Sequence, residues 1–394
     1  MDRLVGTTAR GIRTPIIKQG DDLVKIVVDS VLKAVEQEGI QLREKDVIGV
    51  TESLVARAQG NFATVDNIGK DIASKYPNEI GVIFPIISRN RFSLILKGIA
   101  KSNRKIHLLL SYPADEMGNH LMDIDKMDDL NINPYTDLLT EDKYRRLFGE
   151  SILHPFTNID YVKLYRDIIG KDSNIFLAND PRSILNYTKD VLIANVHDRA
   201  RTKKILKSAG ANIVLGLDDV LTSSIDNSGY NEEYGLLGTN LSSDHSVKLF
   251  PRNCDYYVME IQNALLEKTG KKVEVMIYGD GAFKDPAGKI WELADPVVSP
   301  GFTDGLIGLP NEIKLKYLAD NELQNLTGEE AISAMKNKIK TKESDMFNKS
   351  SSLGTTPRKI TDLLGSLCDL TSGSGDKGTP VVLIQGYFDN FATE

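Results

Sequence analysis

Short apolar, β-branched runs alternate with segments of helical periodicity along this chain, and that alternation confines it to an α/β architecture. Asp46-Val47-Ile48-Gly49-Val50, Ile80-Gly81-Val82-Ile83-Phe84, Ile106-His107-Leu108-Leu109-Leu110, Val191-Leu192-Ile193-Ala194, Ile213-Val214-Leu215, Val273-Glu274-Val275-Met276-Ile277-Tyr278 and Pro380-Val381-Val382-Leu383-Ile384 read as buried strands. Near-continuous apolar character is what a strand covered on both faces requires. Leu23, Ile26, Val27, Val31, Ala34 and Val35 recur at helical spacing behind Asp21 or Asp22 as the cap, with Gly39 placed to stop the helix. A second helix spans about 255–269 and ends at Gly270, and others fall at about 90–102, 199–209 and 359–369. Thr14-Pro15-Ile16-Ile17 reads as a short strand-like run at the start, and 336–358 as a polar, mobile stretch.

At 394 residues the chain exceeds what one hydrophobic core usually organises, so more than one domain is expected. The middle, 78–220, has its own strand–helix rhythm of Rossmann-like, parallel character, with a polar stretch at about 115–185 read as irregular or helical insertion material. A formal net charge of −7 argues against a nucleic-acid footprint. The two cysteines, Cys254 and Cys368, are too few and too far apart for a disulfide framework or a thiolate zinc site. The first residues lack the apolar core of a signal peptide, and no run is long enough to span a bilayer, so the cytoplasm is expected.

Three segments have the composition of a phosphate or cation site. In Ser372-Gly373-Ser374-Gly375-Asp376-Lys377-Gly378-Thr379, glycines allow successive amides to turn into one concavity, Asp376 suits a hard cation and Lys377 adds positive charge. The spacing is not that of a Walker loop, and a solvated turn is the plainer alternative. Gly279-Asp280-Gly281 puts a carboxylate between glycines at a strand's end, as suits Mg²⁺ or Mn²⁺, although Asp-Gly is also an ordinary turn pair. Thr51, Glu52, Ser53 and Arg57 offer short polar groups and a guanidinium beside a strand end, against the alternative of an exposed ion pair. Among the histidines, His107 reads as a strand residue. His197-Asp198-Arg199 is a polar strand end that could line a second pocket, and His245 a loop residue that could join the main site. No nucleophile elbow or Cys–His signature is present.

Taken in order, these segments resemble the coenzyme F420-0:L-glutamate ligase family. The carriers are Thr14-Pro15-Ile16-Ile17-Lys18-Gln19-Gly20-Asp21-Asp22-Leu23, Val47 through Gly60, Lys248-Leu249-Phe250-Pro251 with the helix and strand after it, and Gly373 through Ile384. The resemblance covers roughly 1–75 and 230–394, and implies a ligase-like mixed α/β core in two parts, 1–77 and 221–394, around an inserted Rossmann-like parallel α/β domain at 78–220. It further implies GTP (or ATP) as co-substrate, Mg²⁺ or Mn²⁺, K⁺ as a further candidate ion, and a homodimer. The implied chemistry activates a carboxylate as an acyl phosphate and then joins it to the amine of L-glutamate or a similar amine, the acceptor carboxylate being unspecified.

Carried over residue by residue, Thr14, Pro15, Ile16, Ile17, Glu52, Ser53, Arg57, Asn240, Gly373, Ser374, Gly375, Lys377 and Gly378 frame the nucleotide. Asp280 and Asp376 are the candidates expected to hold the cation, with Asp280 also the candidate catalytic residue. Departures from the family pattern are Leu237 in place of an aspartate, with Asp226 or Asp244 as candidate substitutes, the carboxylate displaced to Asp280, and Ser374 in place of an acidic residue. Two alternatives stand beside the ligase: another metal-dependent phosphoryl-transfer enzyme, and a nucleotide-binding sensor without turnover.

Overall fold

The computed structural model describes residues 4–88, 91–279, 283–284, 291–292, 299–346, 349–352, 358–372 and 376–393. A five-stranded sheet gathers the two ends of the chain, in the order Thr8–Ile12, Val381–Gln385, Val47–Thr51, Glu274–Tyr278, Gly301–Phe302. Only Val47–Thr51 and Glu274–Tyr278 run parallel, and the other neighbours are antiparallel. The alternation of side chains explains how the sheet is clad. Ile48, Val50, Val275, Ile277, Val381 and Leu383 face the helices Leu23–Gln37 and Cys254–Thr269, while Val47, Met276, Val382 and Ile384 pack against Leu364 and Cys368 of the helix Ile360–Ser372. Both faces are buried, which accounts for the unbroken apolar runs.

A six-stranded sheet forms the middle of the chain. Its parallel strands, numbered along the chain, are Ile80–Ile83, Ile106–Leu110, Asn174–Leu177, Asp190–Ile193 and Ile213–Gly216. In space they run third, second, first, fourth, fifth, with the short antiparallel Leu139–Thr140 outside the third. This is the doubly wound order, in which the chain reverses its direction of travel between the first and fourth strands. The helix Val65–Lys75, closed by a Thr64/Asn67 capping box, packs on Phe92–Ala100 and shares one apolar cluster with both Ile80–Ile83 and the stretch Leu217–Leu249. A three-stranded sheet of Asn240–Ser243, Ser246–Lys248 and Phe62–Thr64 joins the two larger ones.

Several local readings are corrected. The first strand is Thr8–Ile12, and Thr14–Ile17 continues from it outside any strand. Pro15 has no amide to offer a ladder, whereas Thr8–Ile12 pairs residue for residue with the last strand. The polar stretch holds helices as read, Ile124–Asp129, Glu141–Phe148 and Tyr161–Ile169, but Asn174–Leu177 adds a strand that the reading lacked. The lysines Lys336, Lys338 and Lys340 belong to a helix, Gly328–Lys340, whose Lys338 pairs with Glu322 at 2.6 Å. Among the described residues no helix is long and apolar enough to cross a membrane.

Candidate functional site

Strand register brings several of the sequence candidates to one edge of the five-stranded sheet. Tyr278 lies opposite Thr51, Val381 opposite Val50, and Ile12 opposite Val381. The strand ends Ile12, Thr51, Tyr278 and Val381 therefore lie side by side, with Arg13–Ile17, the helix from Glu52 and the stretch Asp376–Pro380 leading from three of them. Cross-links tie them: the Thr51 amide donates to the Pro380 carbonyl at 3.0 Å, and Arg13 Nε donates to the Lys377 carbonyl at 3.2 Å. A β-carbon on Gly11 would lie 2.8 Å from Thr379 Cβ, so a glycine is what lets the C-terminal loop close against the first strand. Gly378 takes φ +63, a conformation that glycine adopts without strain. Asp376 and Lys377 are exposed there.

Thr14 and Pro15 border an open groove of 840 Å³, lined also by Arg10, Arg13, Asp29, Lys33, Glu38 and Thr379. Arg57, on the helix Glu52–Gln59, reaches back with Nε 3.5 Å from the Ile17 carbonyl, and the Gly20 amide donates to the Ala58 carbonyl at 2.8 Å. The loop is thereby held on the helix whose first turn contains Glu52 and Ser53. Glu52 is 5 % exposed, and its Oε1 accepts from Lys248 Nζ at 2.8 Å. Lys248, 8 % exposed, is a candidate site residue that reading the sequence did not single out as a functional group. Its signal is a lone lysine between the apolar Val247 and Leu249, while its acidic partner lies 196 positions away. Asn240 pairs directly with Lys248 in the neighbouring strand, which brings it into this neighbourhood, and its own Oδ1 accepts from the Leu241 amide at 2.9 Å.

Asp280, Gly373, Ser374 and Gly375 lie outside the described residues. Among the described residues no group of three or more His, Cys, Asp or Glu is placed to hold a metal ion. Leu237 is 3 % exposed within the hydrocarbon core and offers no ligand. Asp226 is engaged by Lys70, and Asp244 is exposed in a hairpin turn. The described donors alone do not make a divalent-cation cluster. Asp376 is an exposed carboxylate at the edge, whereas the Glu52 carboxylate is matched by an ammonium.

The histidines separate. His107 is a buried strand residue, with Nε2 3.1 Å from Glu79 Oε2 and Nδ1 2.9 Å from Asn174 Nδ2. His245 is exposed in the hairpin turn and contributes its carbonyl to the Val65 amide. Asp198 lines a cavity at the end of the six-stranded sheet.

No curated protein matches the chain. The model of the family described as F420-0:Gamma-glutamyl ligase matches residues 11–386, which takes in all four segments of the sheet edge. The chain belongs to that family, whose members are ligases that form γ-glutamyl bonds.

Proposed function

We propose that the edge of the five-stranded sheet binds a nucleoside triphosphate, GTP or ATP, and that the protein spends it on forming an amide bond. A carboxylate oxygen of the acceptor attacks the γ-phosphorus and the nucleoside diphosphate leaves. The amine of L-glutamate or a similar amine then attacks the acyl carbon, loses a proton and expels inorganic phosphate. The observation that supports this reading is the adjacency of four strand ends distant in sequence, Ile12, Thr51, Tyr278 and Val381, at one edge, where open α/β sheets receive ligands. Thr14–Ile17, Glu52, Ser53, Arg57, Asn240 and the Gly373–Gly378 loop frame the nucleotide in this reading, with Lys377 supplying charge to its phosphates.

Asp280 and Asp376 are the residues we assign to Mg²⁺ or Mn²⁺, ions that take oxygen ligands and keep waters. Such an ion neutralises phosphate charge when bound. The decisive experiment measures nucleotide binding by calorimetry with and without Mn²⁺, together with phosphate release and hydroxylamine trapping of the acyl phosphate. Saturable, Mn²⁺-dependent binding and a trapped hydroxamate are expected, with Asp376→Asn and Asp280→Asn each lowering turnover by about 100-fold or more. Absence of nucleotide binding in the wild type would sink the assignment. Tight binding without release across a broad acceptor panel would favour a sensor instead.

A further inference from the structure

A second cavity, of 290 Å³, opens at the carboxyl ends of the parallel strands in the six-stranded sheet. Its walls include Phe84 after the first strand, Tyr112 after the second, Asn179 after the third, and Asn195, Asp198 and Arg201 after the fourth. It therefore straddles the point where strand order reverses, the usual place for a ligand in an open parallel sheet. The sequence Phe84-Pro85-Ile86-Ile87-Ser88 after the first strand contains no glycine, so the close turn needed by a dinucleotide pyrophosphate is missing. A smaller ligand fits better.

The polar groups of the walls divide into those already engaged and those that are not. Both ends of the Asn179 amide bond the Tyr112 backbone. Asp115 accepts from the Ile87, Met117 and Asn119 amides and from Asn119 Nδ2, and Glu116 accepts from the Val196 and His197 amides. Asn195 differs. It is 3 % exposed, its Nδ2 donates to Thr202 Oγ1 at 3.3 Å, and among the described residues its buried Oδ1 has no partner. Thr202 Oγ1 can serve either end of that amide, so one end is left over in both orientations. Such a group is costly to bury unless something completes it.

Two rim residues carry opposite, uncommitted charges. Among the described residues, neither the Asp198 carboxylate nor the Arg201 guanidinium makes an ion pair or a side-chain hydrogen bond, and both are exposed. Asp198 is the N-cap of the helix Arg199–Ser208, yet its side chain makes no cap bond, so the positive end of this 10-residue helix remains uncapped at the cavity.

We propose that this cavity is a second small-molecule site, built for the zwitterion of an amino acid: the carboxylate meets Arg201 and the helix terminus, and the ammonium meets Asp198. Phe84, Tyr112 and Pro181 supply an apolar wall for the side chain. The site goes beyond the triphosphate edge and does not depend on it.

The test uses the full chain and calorimetry with each of the twenty proteinogenic amino acids, then with the deaminated acid and the amide of the best binder. At least one amino acid is expected to saturate, and to bind about tenfold or more tightly than either one-charge analogue. Arg201→Ala should weaken it about tenfold, and Asp198→Ala should abolish its advantage over the deaminated acid. Both residues are exposed, so neither substitution threatens folding, and nucleotide binding should be unchanged in both. The proposal is overturned if no amino acid saturates at about 10 mM, a concentration that already corresponds to negligible affinity. It is equally overturned if the deaminated acid binds as well as its parent, or if both variants bind like the wild type, which would place the amino acid elsewhere.

Discussion

Burying the Lys248 ammonium against the Glu52 carboxylate removes two charges from water, and their 2.8 Å contact offsets that loss only while both are present. Lys248→Ala is accordingly expected to destabilise the fold by about 3–5 kcal/mol in urea unfolding, since it strands a buried charge. Replacing both by leucine should recover much of that loss. A second pair stabilises the middle of the chain. Burial pushes the Asp160 carboxyl up, but the Arg145 guanidinium at 2.6 Å and the Lys163 and Ile152 amides outweigh it, and the net value lies below the ordinary 3.8. For an acid with a lowered folded value, the stabilisation is present above 3.8 and disappears as pH falls through the folded value. Arg145→Met should therefore move the midpoint of acid unfolding upward, as followed by circular dichroism.

At the scale of elements, the strand Val47–Thr51 is pressed between helices on both faces, and Gly49 shows how tightly. A β-carbon there would collide with Cys368 Sγ on the helix Ile360–Ser372. Gly49→Ala is expected to cost about 1–3 kcal/mol through overpacking, and Cys368→Ala to relieve part of it, so that the double variant loses less than the sum of the single ones. The same contact explains part of the chemistry of the cysteines. Burial pushes the Cys254 thiol up to about 12 and the Cys368 thiol higher still. Neither thiol should react with a disulfide reagent at pH 8 in the native protein, and both should do so in denaturant. Rapid labelling of Cys368 under native conditions would contradict the packing of that helix.

Across the whole molecule, the two larger sheets share contacts through the strip Phe62–Lys75 and Leu217–Leu249. Ala194 and Val196 line a small cavity with Leu237, Gly238 and Thr239, one residue before Asn240, while Asn195 between them lines the amino-acid cavity. The end of a single strand thus faces the proposed second site on one side and the approach to the nucleotide edge on the other. Saturating the cavity with an amino acid that binds there should slow hydrogen exchange of residues 236–240 as well as of 194–202, as measured by mass spectrometry.

Periodicity and caps were sufficient to define the helix that ends before Gly39, the helix that ends at Gly270 with φ +67, and the strand Ile106–Leu110, because each of these signals is local. Of the segments singled out by their order along the chain, Thr14–Ile17, Thr51–Arg57 and Asp376–Thr379 adjoin neighbouring strand ends of one sheet. The sequence did not reveal the strand Thr8–Ile12, whose partner lies at the far end of the chain, or Asn174–Leu177, whose four residues carry no pattern apart from their neighbours in the sheet. Nor could it pair Lys248 with Glu52, or show that the Asn195 amide is left incomplete. Apolar spacing records how one segment meets its own surroundings, whereas charge matching and unmet hydrogen bonds depend on which distant segments are brought within a few ångströms, and only the folded chain decides that.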